Sequence, residues 1–207
     1  MPLKKTYIIA EAGINHKGKY LIAKKFIRAA KDCGADAIKF QSFIPSAVVI
    51  KNLNLADYQK KNLRNQKLNM LDMISKYSLT QKEQLKLFLY AKKVNIDFIS
   101  SAFDLNSLDF LINKLRIKIL KIPSGEITNF PYLKKIASSK KKIIISTGMS
   151  NFKEIKQALK ILQSKGLKRE SITVLHCNTA YPTPVSDVNL NVLNEIKKKL
   201  NVKVGYS

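Results

Sequence analysis

The chain has 207 residues, enough for one domain with a sizeable core, and 45% of them are apolar, which excludes a disordered or low-complexity protein. Its 38 basic residues against 14 acidic ones give a formal charge of +24. Only Arg28, Arg64, Arg116 and Arg169 carry the forked guanidinium favoured for reading phosphates and bases, and the lysines spread over nearly every predicted helix, so the charge reads as a solvated surface and not as a nucleic-acid footprint.

Short β-rich runs alternate with longer helical patterns. The runs cover residues 7–10, 37–40, 98–102, 119–122, 143–146, 173–177 and 202–206. Between the first two, Leu21, Ala23, Phe26, Ile27 and Ala30 fall on one helical face that ends at Gly34. A long excursion over residues 42–95 holds a loop, an Asn- and Lys-rich segment at 58–69 and two helices. The second of these starts at Thr80, in capping-box spacing with Glu83, and is expected to bury Leu85, Phe88, Leu89 and Val94. Asn151 and Glu154 repeat the capping signal ahead of a stripe of Ile155, Ala158, Leu159 and Leu162 that stops near Gly166. A last helix near 190–200 presents Leu193, Ile196 and Leu200.

This rhythm predicts an α/β fold of parallel strands covered by helices, a TIM (β/α)8-type barrel that is incomplete and ends in about the seventh strand. Residues 1–207 read as one partial barrel domain. An open doubly wound nucleotide-binding sheet would carry a Gly-x-Gly-x-x-Gly or Gly-x-x-x-x-Gly-Lys-Ser/Thr loop, and Gly13 with Gly18 is neither. Cys33 and Cys177 have no disulfide or metal-ligand spacing and read as buried free thiols. No apolar run approaches the roughly 20 residues of a membrane span, and the run ending at Glu11 is too short for a signal-peptide core, which predicts a cytoplasmic protein.

Polar residues gather at the ends of these runs: Glu11 with Asn15 and His16, Lys39 with Gln41, Ser100 with Ser101, Lys121 with Ser124 and Glu126, Ser146 with Thr147, and Asn178 with Thr179 and Tyr181. Ser207 closes the series. In a barrel such positions converge on one catalytic mouth. Ile38 and Phe40 alternate with Lys39 and Gln41, and Leu120 and Ile122 flank Lys121. Both lysines are therefore expected on the face away from the helices, either around an anion or in structural ion pairs with Glu11 or Glu126. Ser124, Gly125, Ser146, Thr147 and Gly148 add hydroxyl and N–H donors for such an anion. Glu126 is either a proton donor and acceptor or a holder of substrate hydroxyls. His16 and His176 give no persuasive metal pair, and His176 reads as a hydrogen-bonded core histidine. Tyr181, ahead of Pro182-Thr183-Pro184, suits a pocket wall.

Those residues carry a family pattern. Ile9-Ala10-Glu11-Ala12-Gly13-Ile14-Asn15-His16-Lys17-Gly18, Gly34-Ala35-Asp36-Ala37-Ile38-Lys39-Phe40-Gln41 and Lys121-Ile122-Pro123-Ser124-Gly125-Glu126-Ile127-Thr128-Asn129 resemble the bacterial sialic acid synthases, which include N-acetylneuraminate, legionaminic acid and pseudaminic acid synthases. Ser146-Thr147-Gly148-Met149, Leu175-His176-Cys177, Tyr181-Pro182-Thr183-Pro184 and Val204-Gly205-Tyr206-Ser207 extend the resemblance along the chain.

The resemblance implies condensation of phosphoenolpyruvate with an N-acylated amino sugar, giving a nine-carbon 2-keto sugar acid and phosphate. It implies phosphoenolpyruvate contacts at Lys39, Ser101, Lys121, Ser124, Ser146, Thr179 and Ser207, sugar-side contacts at Glu11, Gln41 and Tyr181, and proton handling at Glu126. It also implies a divalent metal, Mn2+ or Mg2+, whose histidine ligands are expected beyond residue 207, together with a homodimer and a small C-terminal antifreeze-like domain absent from this sequence. On that reading the present chain alone is expected to be inactive, and within it no metal ligand is assigned. Ser101-Ala102 stands where many relatives have Thr-Pro, which keeps the hydroxyl. Two alternatives remain: another phosphoenolpyruvate-condensing synthase acting on a phosphorylated aldose, and a noncatalytic fragment that at most binds phosphoenolpyruvate.

Overall fold

The computed structural model describes residues 5–50 and 69–207, so the Asn- and Lys-rich segment lies outside the described residues except for Asn69. The chain divides into two compact units, Met1–Leu115 and Arg116–Ser207.

The first unit holds three parallel strands, β1 (Ile9–Gly13), β2 (Ala37–Ser42) and β3 (Asp97–Ala102), with β2 paired to both others. Helices Tyr20–Asp32, Pro45–Val48, Met70–Tyr77, Gln81–Lys93 and Leu105–Asp109 connect or follow them, and the last runs into a π-helical turn at Phe110–Lys114. The predicted box at Thr80 is present: its hydroxyl accepts from the Glu83 N–H at 3.2 Å while the Thr80 N–H donates to Glu83 Oε2 at 2.8 Å. β1 begins later than expected and takes in Glu11. Ahead of it Asp36 accepts the Ile8 N–H at 2.8 Å and returns its own N–H to the Ile8 carbonyl at 2.9 Å, and the Tyr7 hydroxyl donates to Asp97 at 2.7 Å.

Which side of this sheet carries helices follows from the alternation along β2. Phe40 stacks on Phe98 with ring centres 5.3 Å apart, and Phe88 of the Gln81–Lys93 helix meets the edge of Phe98 at 5.8 Å. On the same side the Ser42 hydroxyl donates to Gln84 Oε1 and lies 2.7 Å from the Ser100 hydroxyl. Gln84 Nε2 in turn donates to the Leu79 carbonyl at 3.0 Å, so this polar cluster is satisfied although buried. Residues 38, 40 and 42 thus face the helices, and 39 and 41 face away.

That network explains a departure from the predicted packing. The Gln81–Lys93 helix buries Gln84, Leu87, Phe88 and Ala91, while Leu85 and Leu89 are exposed. The inward stripe runs through a polar residue whose amide is hydrogen-bonded, so apolarity alone misplaced its phase. Leu21 is likewise exposed, since the Tyr20–Asp32 helix buries Ala23, Ile27 and Ala30. Cys33 is exposed, not buried as expected, because it caps that helix just beyond its last turn.

The second unit is β4 (Ile119–Ile122), β5 (Lys142–Ser146), β6 (Ile172–His176) and β7 (Lys203–Tyr206), parallel and paired in sequence order. Helices Phe130–Ser138, Phe152–Gln163 and Asn191–Leu200 connect them. The Asn151–Glu154 capping box forms, and Ile155, Ala158, Leu159 and Leu162 are buried as predicted. All seven strand runs are thereby realised as strands, and no helix among the described residues is long and apolar enough to cross a membrane.

Candidate active site

In the first unit, side-by-side partners of a parallel pair project to the same face. Glu11 pairs with Lys39, and Gln41 pairs with Ser101, which places these four on the face turned away from the helices. Glu11 Oε2 and Lys39 Nζ form an ion pair in which Lys39 is 14% exposed and Glu11 49%. The open carboxylate keeps water on one side while the lysine is mostly withdrawn, so the pair is a reachable dipole and not a sealed bridge. Gln41 belongs to the same cluster: a Cβ placed on Gly13 would lie 3.2 Å from Glu11 Oε1 and 3.9 Å from Gln41 Nε2. Gly13 has φ +52, so the chain turns where a side chain would crowd the carboxylate. Ser101 is buried on this face, whereas Ser100 faces the helices and serves the Ser42–Gln84 cluster. The two serines, grouped together at the sequence level, therefore have separate duties.

His16 lies in the loop after β1 and is 1% exposed. Its Nδ1 accepts the Gly18 N–H at 3.1 Å, which assigns the proton to Nε2, and Nε2 has no partner among the described residues. Burial lowers its pKa below the ordinary 6.5, against weaker opposing contributions from the Gly13 backbone and the Glu83 carboxylate.

In the second unit the expected groups converge more tightly. Lys121 is 6% exposed, donates to Ser146 Oγ and reaches the Ile122 carbonyl at 3.0 Å. Ser146 stands diagonally across from Lys121 on the neighbouring strand, one pleat further on, which is why the two meet. Gly148 fixes two more members of the set. A Cβ there would lie 2.6 Å from Ser124 Cβ, 2.8 Å from its Oγ and 3.4 Å from Thr179 Cγ2, so Ser124 and Thr179 close on the glycine from two loops. Lys121 thus meets the Ser146 hydroxyl, while the Ser124 side chain and the Thr179 methyl pack about Gly148 two residues further along the same loop.

Two residues expected to supply donors there are otherwise engaged. The Thr147 hydroxyl and N–H both donate to the Leu175 carbonyl, at 3.0 and 3.2 Å, and the Gly148 N–H donates to Cys177 Sγ at 3.3 Å. Sequence reasoning missed Cys177 as an acceptor; its place one strand over from the Ser146-Thr147-Gly148 loop was the available signal. His176 is not a hydrogen-bonded core histidine at Nε2, which is buried without a partner among the described residues; its ring instead lies 5.8 Å from that of its strand neighbour Tyr206.

The remaining residues stand further out. Glu126 accepts from Asn129 Nδ2 at 2.6 Å in an exposed turn. Tyr181 is 85% exposed and precedes a cis proline. Ser207 is tied to β6 by its N–H, which donates to the His176 carbonyl at 3.0 Å. Among the described residues no group of three or more His, Cys, Asp or Glu is placed to hold a metal ion, so the residues present do not by themselves fit one.

The model of the NeuB family matches residues 26–207. The chain is 51% identical to the N,N'-diacetyllegionaminic acid synthase of Campylobacter jejuni over 99% of its own length and 61% of that protein's. It is 40% identical to the synthase of the same name from Legionella pneumophila, over 97% of the chain and 56% of that protein. The chain therefore spans less than two thirds of the length of these relatives. Among solved structures, the N-acetylneuraminic acid synthetase of Leptospira borgpetersenii is 30% identical with a TM-score of 0.82, covering 98% of this chain and 65% of that one. The fold is accordingly the expected TIM-type barrel in incomplete form, with seven parallel strands among the described residues.

Proposed function

We propose a function from the premise that this chain belongs to the NeuB family. The protein condenses phosphoenolpyruvate with an N-acylated amino sugar, forming a nine-carbon 2-keto sugar acid and releasing phosphate. The observation that carries the reading is the buried Lys121 ammonium donating to Ser146 Oγ, with Ser124 and Thr179 packed against Gly148 two residues beyond. One ammonium and three hydroxyls suit the phosphate and carboxylate oxygens of phosphoenolpyruvate, while Lys39, Ser101 and Ser207 are further proposed contacts.

In this reading C3 of phosphoenolpyruvate attacks the open-chain aldehyde of the sugar, water adds at C2, and the tetrahedral carbon expels phosphate by C–O cleavage. Glu11 and Gln41 hold sugar hydroxyls and the amide, Tyr181 walls the sugar, and Glu126 handles the proton. A divalent metal would supply electrophilic activation of the aldehyde, with ligands from outside the described residues. The partner is a second copy of the protein and the setting is cytoplasmic.

Legionaminic-type synthesis is favoured over the other nonulosonic acids by the 51% identity to the Campylobacter jejuni enzyme. The test is a chimera in which this chain replaces the corresponding segment of that synthase. Product analysis should find the nine-carbon acid from the diacetamido sugar. Turnover only with erythrose 4-phosphate or arabinose 5-phosphate, or no turnover with any aldose, would defeat the proposal.

A further inference from the structure

The Ser146-Thr147-Gly148 segment carries the hydroxyl that meets Lys121, and its local turn is closed by the Ser150 N–H on the Thr147 carbonyl at 2.8 Å, but the donors of Thr147 and Gly148 point out of it. What holds them is β6. The Leu175 carbonyl accepts both Thr147 donors, and the thiol of Cys177 donates to that same carbonyl at 3.7 Å while accepting the Gly148 N–H at 3.3 Å. Cys177 is 7% exposed, so it lies inside this knot. Gly148, at φ +50, is packed against Ser124 and Thr179 so closely that a methyl group does not fit. The thiol sits behind Gly148, against which the Ser124 side chain and the Thr179 methyl pack.

We propose that Cys177 is the positioning residue of the anion-facing rim. By holding the Gly148 amide it fixes the distance between the β5 loop and the loops bearing Ser124 and Thr179, and so fixes the hydroxyl set as a unit. A thiol suits the position because it both donates and accepts while filling an apolar gap. The inference deepens the proposed function and rests on it for the identity of the anion; the position of the rim is a separate matter.

The experiment compares Cys177→Ala, Cys177→Ser and Cys33→Ala with the native chain by amide NMR and by calorimetric titration with phosphoenolpyruvate. In the native protein the Gly148 amide should be protected from hydrogen exchange. Cys177→Ala should shift the Gly148, Ser124 and Thr179 amides together and weaken phosphoenolpyruvate about tenfold, the loss expected when one modest hydrogen bond's worth of ordering disappears. Cys177→Ser, which keeps a donor and acceptor, should recover most of that affinity, and Cys33→Ala, in the exposed cap, should match the native chain. A general loss of packing would lower the unfolding midpoint without this pattern of rescue.

Unmoved Gly148, Ser124 and Thr179 amides in Cys177→Ala, or a freely exchanging Gly148 amide in the native chain, would overturn the proposal. Unchanged phosphoenolpyruvate affinity in Cys177→Ala would overturn it too. A native chain with no affinity for phosphoenolpyruvate, in which the three amides still move together, would defeat the functional reading while supporting the role of Cys177. If Cys177→Ala does not fold, the Cys177→Ser shifts and the native exchange rate decide the matter.

Discussion

The two units reach the same kind of lysine by the same strand alternation and then treat it differently. In the first, Lys39 meets the carboxylate of Glu11, a partner that is half in solvent, and the neighbours are an amide and a serine. In the second, Lys121 is nearly out of solvent and reaches a serine hydroxyl beside a glycine on which two more hydroxyl residues close. The Glu11 carboxylate already balances part of the Lys39 charge, which leaves that lysine less to offer an anion. The strand period thus brings a cation to the rim, while the loops beyond the strands decide what it receives.

The largest expected effect breaks this comparison at Lys121. Lys121→Met should weaken phosphoenolpyruvate by roughly a hundredfold, about 3 kcal/mol, in calorimetric titrations, with the circular dichroism spectrum retained. Equal losses for Lys39→Met and Lys121→Met would erase the distinction between the units. Next comes Gly148→Ala, which adds a steric clash with Ser124 to a left-handed backbone. It should cost clearly more than the roughly 1–2 kcal/mol of backbone strain alone. Gly166→Ala is the matched reference, since Gly166 has φ +82 but open space around its Cβ position. Chemical denaturation of both variants checks the difference, and equal losses would show that Ser124 yields freely.

A smaller effect sharpens the account of the first unit. Glu11→Gln removes the carboxylate competing for Lys39, so inorganic phosphate should bind severalfold more tightly at low salt, with the gain shrinking as salt rises. Equilibrium dialysis with phosphate measures this, and weaker binding would mean that Glu11 holds Lys39 in its receptive position.

The smallest effects are acid-dependent and belong to the first unit. His16 has its pKa lowered by burial, so its contribution to stability is fully present above the unfolded value near 6.5 and is lost as pH falls below it toward the folded value. Asp36 has its pKa lowered from 3.8, first by the Ile8 N–H and then by Lys5, so its contribution persists above that value and is lost on further acidification through the folded pKa. Unfolding midpoints followed against pH should lose the upper step in His16→Asn and the lower one in Asp36→Asn. A pH profile unchanged by either substitution would contradict the assignment.

Much of this was legible in the sequence because period-2 alternation is local. Lys39 between Ile38 and Phe40, and Lys121 between Leu120 and Ile122, each had only two possible faces, and the buried apolar neighbours chose between them. The capping boxes at Thr80 and Asn151 were equally local and formed as read. Errors arose where a distant partner changed the meaning of a residue. Gln84 is polar yet inward because Ser42 and Leu79 satisfy it, which shifted the helical stripe away from Leu85 and Leu89. Thr147 and Gly148 looked like anion donors, but their hydrogen bonds go to Leu175 and Cys177, residues more than two dozen positions away. Cys33 lay next to an apolar stripe, and only the position of the helix end placed it in solvent.

The most direct measurement follows the lysine ammonium resonances of 15N-labelled protein during titration with phosphoenolpyruvate, with Lys121→Met used to assign the Lys121 signal. The account predicts a saturable shift of the Lys121 ammonium together with the Ser146 and Thr179 amides. Shifts confined to exposed lysines and rising without saturation would contradict it.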